Sequence, residues 1–302
     1  MSIPYFDCHC DTIVEASLAN EGLLQNSRQL DVERLLRYAP CAQVFAVCTG
    51  FKENAVCDTQ GYIEWFHREL KKNSDKIMLC LSKSDIDVAF SSGKIAAFLS
   101  IEGAEQISSL EKAYNDGVRI IHPTWNYDNA LCGAAADSGS GLTQQGKDFV
   151  RSAQKLGIML DMSHVSERGF WDVVEISEKP IIAGHSNSKS LCDVPRNLTD
   201  SQFTALVNIG GGAGINLYPE FLGFDRDIDA IIAHIEHFLA LGGEKSVFLG
   251  CDFDGIEITP KGIDGVQDVD KLYNGLLKRN YSEELVKDIF YYNLYRIIGR
   301  AL

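Results

Sequence analysis

Eight compact apolar runs punctuate the chain: Ile3 to Cys8, Ala42 to Cys48, Ile95 to Ile101, Val118 to Ile121, Ile158 to Met162, Ile181 to Ala183, Ala213 to Leu217 and Val247 to Gly250. Many are rich in β-branched residues. Their continuous apolar character suits strands buried on both faces of a parallel sheet. Between most of them lie stretches with apolar residues at helical spacing: Gln60 to Lys72, Leu110 to Asn115, Gln144 to Leu156, Glu167 to Ile176 and Ile228 to Leu241. Three of these run into glycine, at Gly117, Gly157 and Gly242, a common way for a helix to stop. Strand followed by helix, repeated around the chain, predicts an α/β fold of the (β/α)8 TIM-barrel type. A doubly wound open sheet competes, but eight strands with polar residues at most of their C-terminal ends favour the barrel. Two further helices, Val269 to Lys278 and Ser282 to Arg300, are expected to pack outside it as a C-terminal extension. With no repeat, low-complexity tract or linker, residues 1–302 read as a single domain. The longer gaps, Asn126 to Thr143, Asp193 to Asn197 and Asp254 to Asp268, are expected to form the rim of the site.

Composition narrows the partners. The chain has 42 acidic against 28 basic residues, a formal charge of −14. An acidic surface argues against nucleic acid or an anionic membrane as partner, since both need basic patches. No apolar run approaches the roughly 20 residues that span a bilayer. The start, Met1-Ser2-Ile3-Pro4, lacks the basic and apolar regions of a signal peptide. Nine cysteines, scattered and odd in number, read as free thiols, and a cytoplasmic location is the expectation.

The candidate chemistry begins at His9-Cys10-Asp11, where the first run turns polar. On an extended strand, side chains at i and i+2 share a face. His9 and Asp11 then point one way, and Cys8 and Cys10 the other, as wall-packing residues. An imidazole beside a carboxylate suits a divalent metal such as zinc. Glu102, His122, His164, His185 and Asp252 also fall at the ends of apolar runs, and a barrel brings such ends to one mouth. These groups suffice for a pair of metals bridged by Glu102. His9, Asp11 and Glu102 would hold one; Glu102, His164 and His185 would hold the other, each leaving a position for a shared water.

Taken singly, several residues have plainer readings. His122 alone reads as a hydrogen-bonded rim residue, and His234 with His237, three apart on a helix, as a helix–barrel contact. Glu102 resists such a reading, because an unpaired carboxylate after an apolar run is costly. Asp252 comes first after its strand and is placed facing the metals, with Asp254 as loop support. Asp161 reads as a group behind the ligands or a hydrogen-bond anchor. Arg196 suits bidentate capture of a carboxylate or phosphate, and equally a surface ion pair.

In order along the chain, Asp7-Cys8-His9-Cys10-Asp11-Thr12, Ile101-Glu102-Gly103, Asp161-Met162-Ser163-His164-Val165-Ser166, Gly184-His185-Ser186, Pro195-Arg196-Asn197 and Asp252-Phe253-Asp254-Gly255 resemble the motifs of the membrane dipeptidases, peptidase family M19. The resemblance covers nearly the whole chain. It implies an amidohydrolase-type barrel with a pair of zinc ions per subunit, His9 and Asp11 on one, His164 and His185 on the other, and Glu102 between them. It further implies that His122 binds substrate and polarises the scissile carbonyl, that Arg196 holds the substrate's terminal carboxylate, and that Asp252 handles protons. The implied reaction is hydrolysis of a dipeptide with a free C-terminal carboxylate by a metal-bridging hydroxide, and the likeness suggests a homodimer. The loop Asn126 to Ser140 and the stretch Tyr291 to Arg296 depart from the family pattern. Substrate side chain, D/L preference and metal identity stay open. The runner-up is a binuclear-metal amidohydrolase acting on another amide, a lactone or an ester. Such barrels typically carry HxH on the first strand and often a carboxylated lysine; here the first strand offers HxD and no lysine ends runs three to six. A metal-stabilised binding scaffold is a third reading, disfavoured by the intact ligand set and Asp252.

Overall fold

The apolar runs become parallel strands. The computed structural model describes residues 2–48 and 58–302. Its strands are β1 (Tyr5–Asp7), β2 (Cys41–Cys48), β3 (Ile77–Leu79), β4 (Ile95–Glu102), β5 (Val118–His122), β6 (Met159–Leu160), β7 (Ile182–Ala183), β8 (Gly212–Ile215) and β9 (Val247–Leu249). They lie in the order β6-β5-β4-β2-β1-β9-β8-β7. A parallel bridge from Asp161 to Ile182 links the two ends of that path, and Met162 N donates to Ile182 O at 2.6 Å. The result is the near-closed (β/α)8 barrel the pattern predicts. β3 was not expected. It pairs with the lower half of β4 (Ile77 with Ile95, Leu79 with Ala97), while β5 takes the upper half from Leu99 onward. Its three residues carry too little pattern to register.

Alternation along β4 divides two cores. Ile95, Ala97, Leu99 and Ile101 join the outer cluster under the helices. Ala96 and Phe98 face inward with Phe6, Val44, Ile120, Met159, Ile182 and Phe248, filling the barrel as packed layers do. The first strand departs from strict alternation. Cys8 belongs to the inner cluster and Cys10 to the outer one, so they do not share a wall. The chain bends at Cys8, and a one-residue shift of that kind exchanges faces. Beyond the bend it pairs again: Asp252 N donates to His9 O at 3.1 Å and Asp11 N to Phe253 O at 2.9 Å.

Helices Leu110–Asn115, Gln144–Leu156, Glu167–Ile176 and Val269–Lys278 have the expected bounds, and Thr59–Lys72 and Ile228–Ala240 lie within one residue of them. Gly157, at φ 85°, closes its helix in the left-handed conformation, its N–H donating to Ala153 O and Gln154 O. Thr12–Leu18, Val32–Leu35, Lys83–Ser91 and Asp200–Asn208 were not anticipated. The expected final helix is broken into Glu283–Lys287, a π-helical turn Asp288–Tyr292, and Asn293–Ala301. It does not lie outside the barrel as an appendage. Tyr291, Leu294, Ile297 and Ile298 join the inner cluster, and Asn293 Nδ2 donates to Glu244 O (2.9 Å) and Val247 O (2.7 Å) at the foot of β9. This segment packs against the N-terminal ends of strands, opposite Glu102 and His122. Among the described residues no helix is long and apolar enough to cross a membrane.

Candidate metal centre

Glu102 ends β4 in register with His122, which ends β5. Register partners on neighbouring parallel strands share a face, so both side chains rise from the inner wall. Glu102 Oε1 lies 2.8 Å from His164 Nε2, 3.2 Å from His185 Nε2, 3.7 Å from His9 Nε2 and 3.9 Å from His122 Nδ1. His9 Nε2 lies 3.3 Å from Asp11 Oδ2 and 3.8 Å from Asp252 Oδ1. The Nε2 atoms of His164 and His185 are 3.0 Å apart. His9, Asp11, Glu102, His122, His164 and His185 are all buried. The structure thus brings together every residue expected at the metals, and sets His122 and Asp252 beside them.

The loops reach this geometry through unusual backbone. His164, Asp252 and Asp254 have φ of 71°, 63° and 68°, the left-handed region, which costs a non-glycine residue about 1–2 kcal/mol. The turn before His164 is held by Asp161, whose Oδ1 accepts from Ser163 N (2.9 Å) and Gly184 N (2.8 Å). The paired carboxylates Asp252 and Asp254 diverge. Asp252 turns toward His9. Asp254 accepts from Thr12 Oγ1 and from Gln29 N, both at 2.6 Å, and its own N–H donates to Gln29 Oε1 at 2.8 Å. Gly255 has no room for a side chain: a Cβ there would lie 2.2 Å from Asp11 Oδ2 and 2.4 Å from Asp252 Oδ1.

Charge follows the same geometry. Burial pushes His9 down, but Glu102, Asp11 and Asp252 outweigh it and raise it to about 10. The carboxylates therefore call for positive charge at their centre. Burial pushes Glu102 up, yet His9 and His164 draw it well below the ordinary carboxylate range. Burial lowers His164 to about 3 and also lowers His185, so both favour the neutral form that binds metals. Burial, against the pull of His9 and with Asp11 and Glu102 adding to it, raises Asp252 to about 7.

These residues fit a divalent cation. Three sets have donor atoms mutually within 4.8 Å: His9, Asp11 and Glu102; Glu102, His164 and His185; and His9, His122 and His185. Two imidazole nitrogens aimed at each other and at one carboxylate oxygen form an arrangement that a cation satisfies in full. The donors are nitrogen and oxygen, which suit zinc and its neighbours.

A cavity of about 590 Å³ opens over the cluster, lined by Asp11, Glu102, His164, Asp252 and Arg196 among others. Arg196 is buried. Its Nη1 donates to Ser186 Oγ at 3.4 Å, and its guanidinium lies 5.6 Å from the Phe221 ring centroid. Among the described residues no carboxylate forms an ion pair with it, so the surface-pair reading does not hold. Two supporting residues escaped the sequence reading. Asn126 Oδ1 lies 2.8 Å from His164 Nδ1 and so fixes Nε2 toward Glu102. Asn216 Nδ2 donates to Asp252 Oδ2 at 2.9 Å. Asn216 was visible only as a polar interruption of the run Ala213 to Leu217. His234 and His237 lie elsewhere: His234 Nδ1 accepts from Ser188 N at 3.1 Å, and His237 Nε2 meets Asp200 Oδ1 at 2.8 Å.

Comparison with known proteins gives a consistent answer. A family model described as membrane dipeptidase (peptidase family M19) matches residues 1–301. An uncharacterized protein in the pqqA 5′ region of Klebsiella pneumoniae is 34% identical over 243 residues, 75% of this chain and 89% of that protein. The uncharacterized dipeptidase C965.12 of Schizosaccharomyces pombe is 32% identical over 257 residues, 80% of this chain and 62% of that one. Among solved structures, the dipeptidase AC, a metallo peptidase of family M19, is 26% identical with a TM-score of 0.89, covering 100% of this chain and 99% of that one. A metallo peptidase from Rhodobacter sphaeroides, liganded with a phosphinate mimic of L-Ala-D-Ala, has a TM-score of 0.89 at 24% identity, covering all of both chains; that likeness is one of fold.

Proposed function

This chain belongs to the membrane dipeptidase family, peptidase family M19, and is a hydrolytic metallopeptidase; on that premise we propose that it is a zinc-dependent dipeptidase for dipeptides with a free C-terminal carboxylate. The observation that carries the reading is the convergence of His9, His122, His164 and His185 on one oxygen of Glu102. His9 and Asp11 would hold one zinc, His164 and His185 the other, and Glu102 would bridge them. Zinc bound there supplies Lewis acidity, which polarises the scissile carbonyl and lowers the pKa of an attacking water.

The remaining steps belong to the protein. Asp252 keeps one oxygen on Asn216 and turns the other toward His9. That second oxygen takes the proton of the water as it attacks the amide carbon and returns it to the leaving amine. Arg196, a buried cation that makes no ion pair among the described residues, receives the substrate's carboxylate in bidentate fashion. Its distance from the cluster then limits the substrate to a short peptide. His122 binds the scissile unit from the inner wall.

Purified protein stripped with chelator and reloaded with zinc tests this against a panel of D- and L-dipeptides, their C-terminal amides, and lactones. The expected result is cleavage of free dipeptides, lost on stripping and restored with a pair of zinc ions per chain by elemental analysis. Turnover of lactones with none of dipeptides overturns it.

A further inference from the structure

We propose that Asp161 is a positioning residue: it fixes the orientation and tautomer of His122, so that Nδ1 is the nitrogen this ring presents to the substrate. The proposal rests on the dipeptidase reading only for the nature of that substrate.

His122 is fully buried. Its Nδ1 faces Glu102, and its Nε2 lies 3.3 Å from Asp161 Oδ2. Among the described residues neither His122 Nε2 nor Asp161 Oδ2 completes a hydrogen bond, their own 3.3 Å approach falling short of hydrogen-bond geometry, and each is the polar atom the other faces. The carboxylate cannot swing away to find another. Its Oδ1 is pinned by Ser163 N and Gly184 N, and Asp161 N is itself bound to Ile121 O at 3.0 Å, beside His122. Behind Oδ2 the wall is bare glycine: a Cβ on Gly184 would lie 2.0 Å from that oxygen.

A fully buried carboxylate oxygen without a donor is costly, and so is a buried imidazole N–H without an acceptor. Each is the answer to the other. A small turn that brings Nε2–H onto Oδ2 satisfies both, and the ring then shows an unprotonated Nδ1 to the cluster, an acceptor for the substrate's N–H rather than a donor to its carbonyl. A half-turn of the ring about its Cβ–Cγ bond would put the carbons Cδ2 and Cε1 where Nδ1 and Nε2 now lie, and Asp161 opposes that turn because its Oδ2 would then face a carbon. Carboxylates behind catalytic or ligating histidines elsewhere hold tautomers in the same manner. The sequence anticipates the pair only loosely: Asp161 and His122 follow successive strands, and parallel pairing puts them side by side.

Asp161→Asn separates this role from a merely structural one. Asparagine retains the Oδ1 acceptor for Ser163 N and Gly184 N but offers an NH2 donor to Nε2, which favours the opposite tautomer. In zinc-loaded protein, kcat should fall about 10–100-fold with metal content unchanged and KM within a few-fold. Ring ¹⁵N spectra, with His122 identified by the signal lost in His122→Gln, should show the proton on Nε2 in the wild type and on Nδ1 in Asp161→Asn. A wild-type His122 protonated on Nδ1 overturns the proposal, as does an Asp161→Asn enzyme with unaltered tautomer and kcat. If that variant does not fold, the wild-type spectrum decides alone. The Nε2–H signature in a protein that cleaves no dipeptide would remove the dipeptidase reading and leave Asp161 in place.

Discussion

At the scale of single residues, Arg196 is the clearest case of a buried cation that carboxylates reach only at a distance: Asp252, Glu102 and Asp161 favour its charge, but none forms an ion pair with it among the described residues. It is buried, rests on Phe221, and has only a long contact to Ser186 for its guanidinium. Replacing it by alanine should raise KM for free dipeptides by about 30–100-fold, the worth of a charge-assisted bidentate contact. C-terminally amidated dipeptides, which lack the carboxylate, should be unaffected. Steady-state kinetics on matched pairs reads this out, and an equal loss on both removes Arg196 from carboxylate recognition. Why Arg196 was ambiguous in sequence is physical: a lone arginine after a proline looks the same whether its loop folds inward or out. Glu102 was easier to read, because seven buried positions, six of them apolar, precede it in its strand. Asn126 and Asn216 went unread because an asparagine in a loop has many uses, and only the folded chain shows which group it touches.

At the scale of elements, strands were legible where they are long and apolar, and lost where they are short. β3 needed its neighbour β4 to be recognised, and the bend at Cys8 broke the alternation that had placed Cys8 beside Cys10. The last helix was mistaken because its pattern does not reveal a π turn, nor that its apolar face fits the foot of a barrel. Helix Ile228–Ala240 has a further consequence. Its buried His234 accepts from Ser188 N and faces Leu222 O at 3.4 Å, tying that helix to the loop that leads to Arg196. Burial, with Leu222 O opposing and His237 adding, lowers this imidazole from 6.5 to about 4. Between those values the unfolded chain binds the proton and the folded one does not. His234 therefore contributes stability above about pH 6.5, and that contribution is lost as pH falls toward 4, with a magnitude on the order of 3 kcal/mol. Urea unfolding of wild type and His234→Gln at several pH values should show their difference shrinking over that window. A difference constant from pH 7 to 4.5 would refute it.

At the scale of the whole molecule, the barrel concentrates Asp11, Glu102 and Asp252 in one small volume of a chain that already carries −14. Holding them there costs stability unless cations answer them. Metal bound only by the folded state adds about 4 kcal/mol at a thousand times its Kd. Stripping it should thus lower Tm by on the order of 10 °C for a chain of this size. Differential scanning calorimetry before and after chelation, and again after reloading, checks the effect; an unchanged Tm argues that the cluster holds no cation. The architecture was readable because a barrel repeats one motif around the ring. The closing contact from Asp161 to Ile182 was not, since it is a matter of tilt and spacing.

The lacing of β1 to the chain beyond β9 also governs when the centre can exist. His9 O receives Asp252 N, and Asp11 N is held by Phe253 O, so the earliest ligands are fully fixed once the latest part of the barrel is in place, with β2 holding Cys10 O through Ala46 N from the other side. At ribosomal speeds of about 5–20 residues per second, roughly 10–50 s separate the synthesis of His9 from that of Asp252. On this lacing, the His9–Asp11 side of the centre is complete only after translation has passed the eighth strand of the ring, whereas Glu102, His164 and His185 are made well before it.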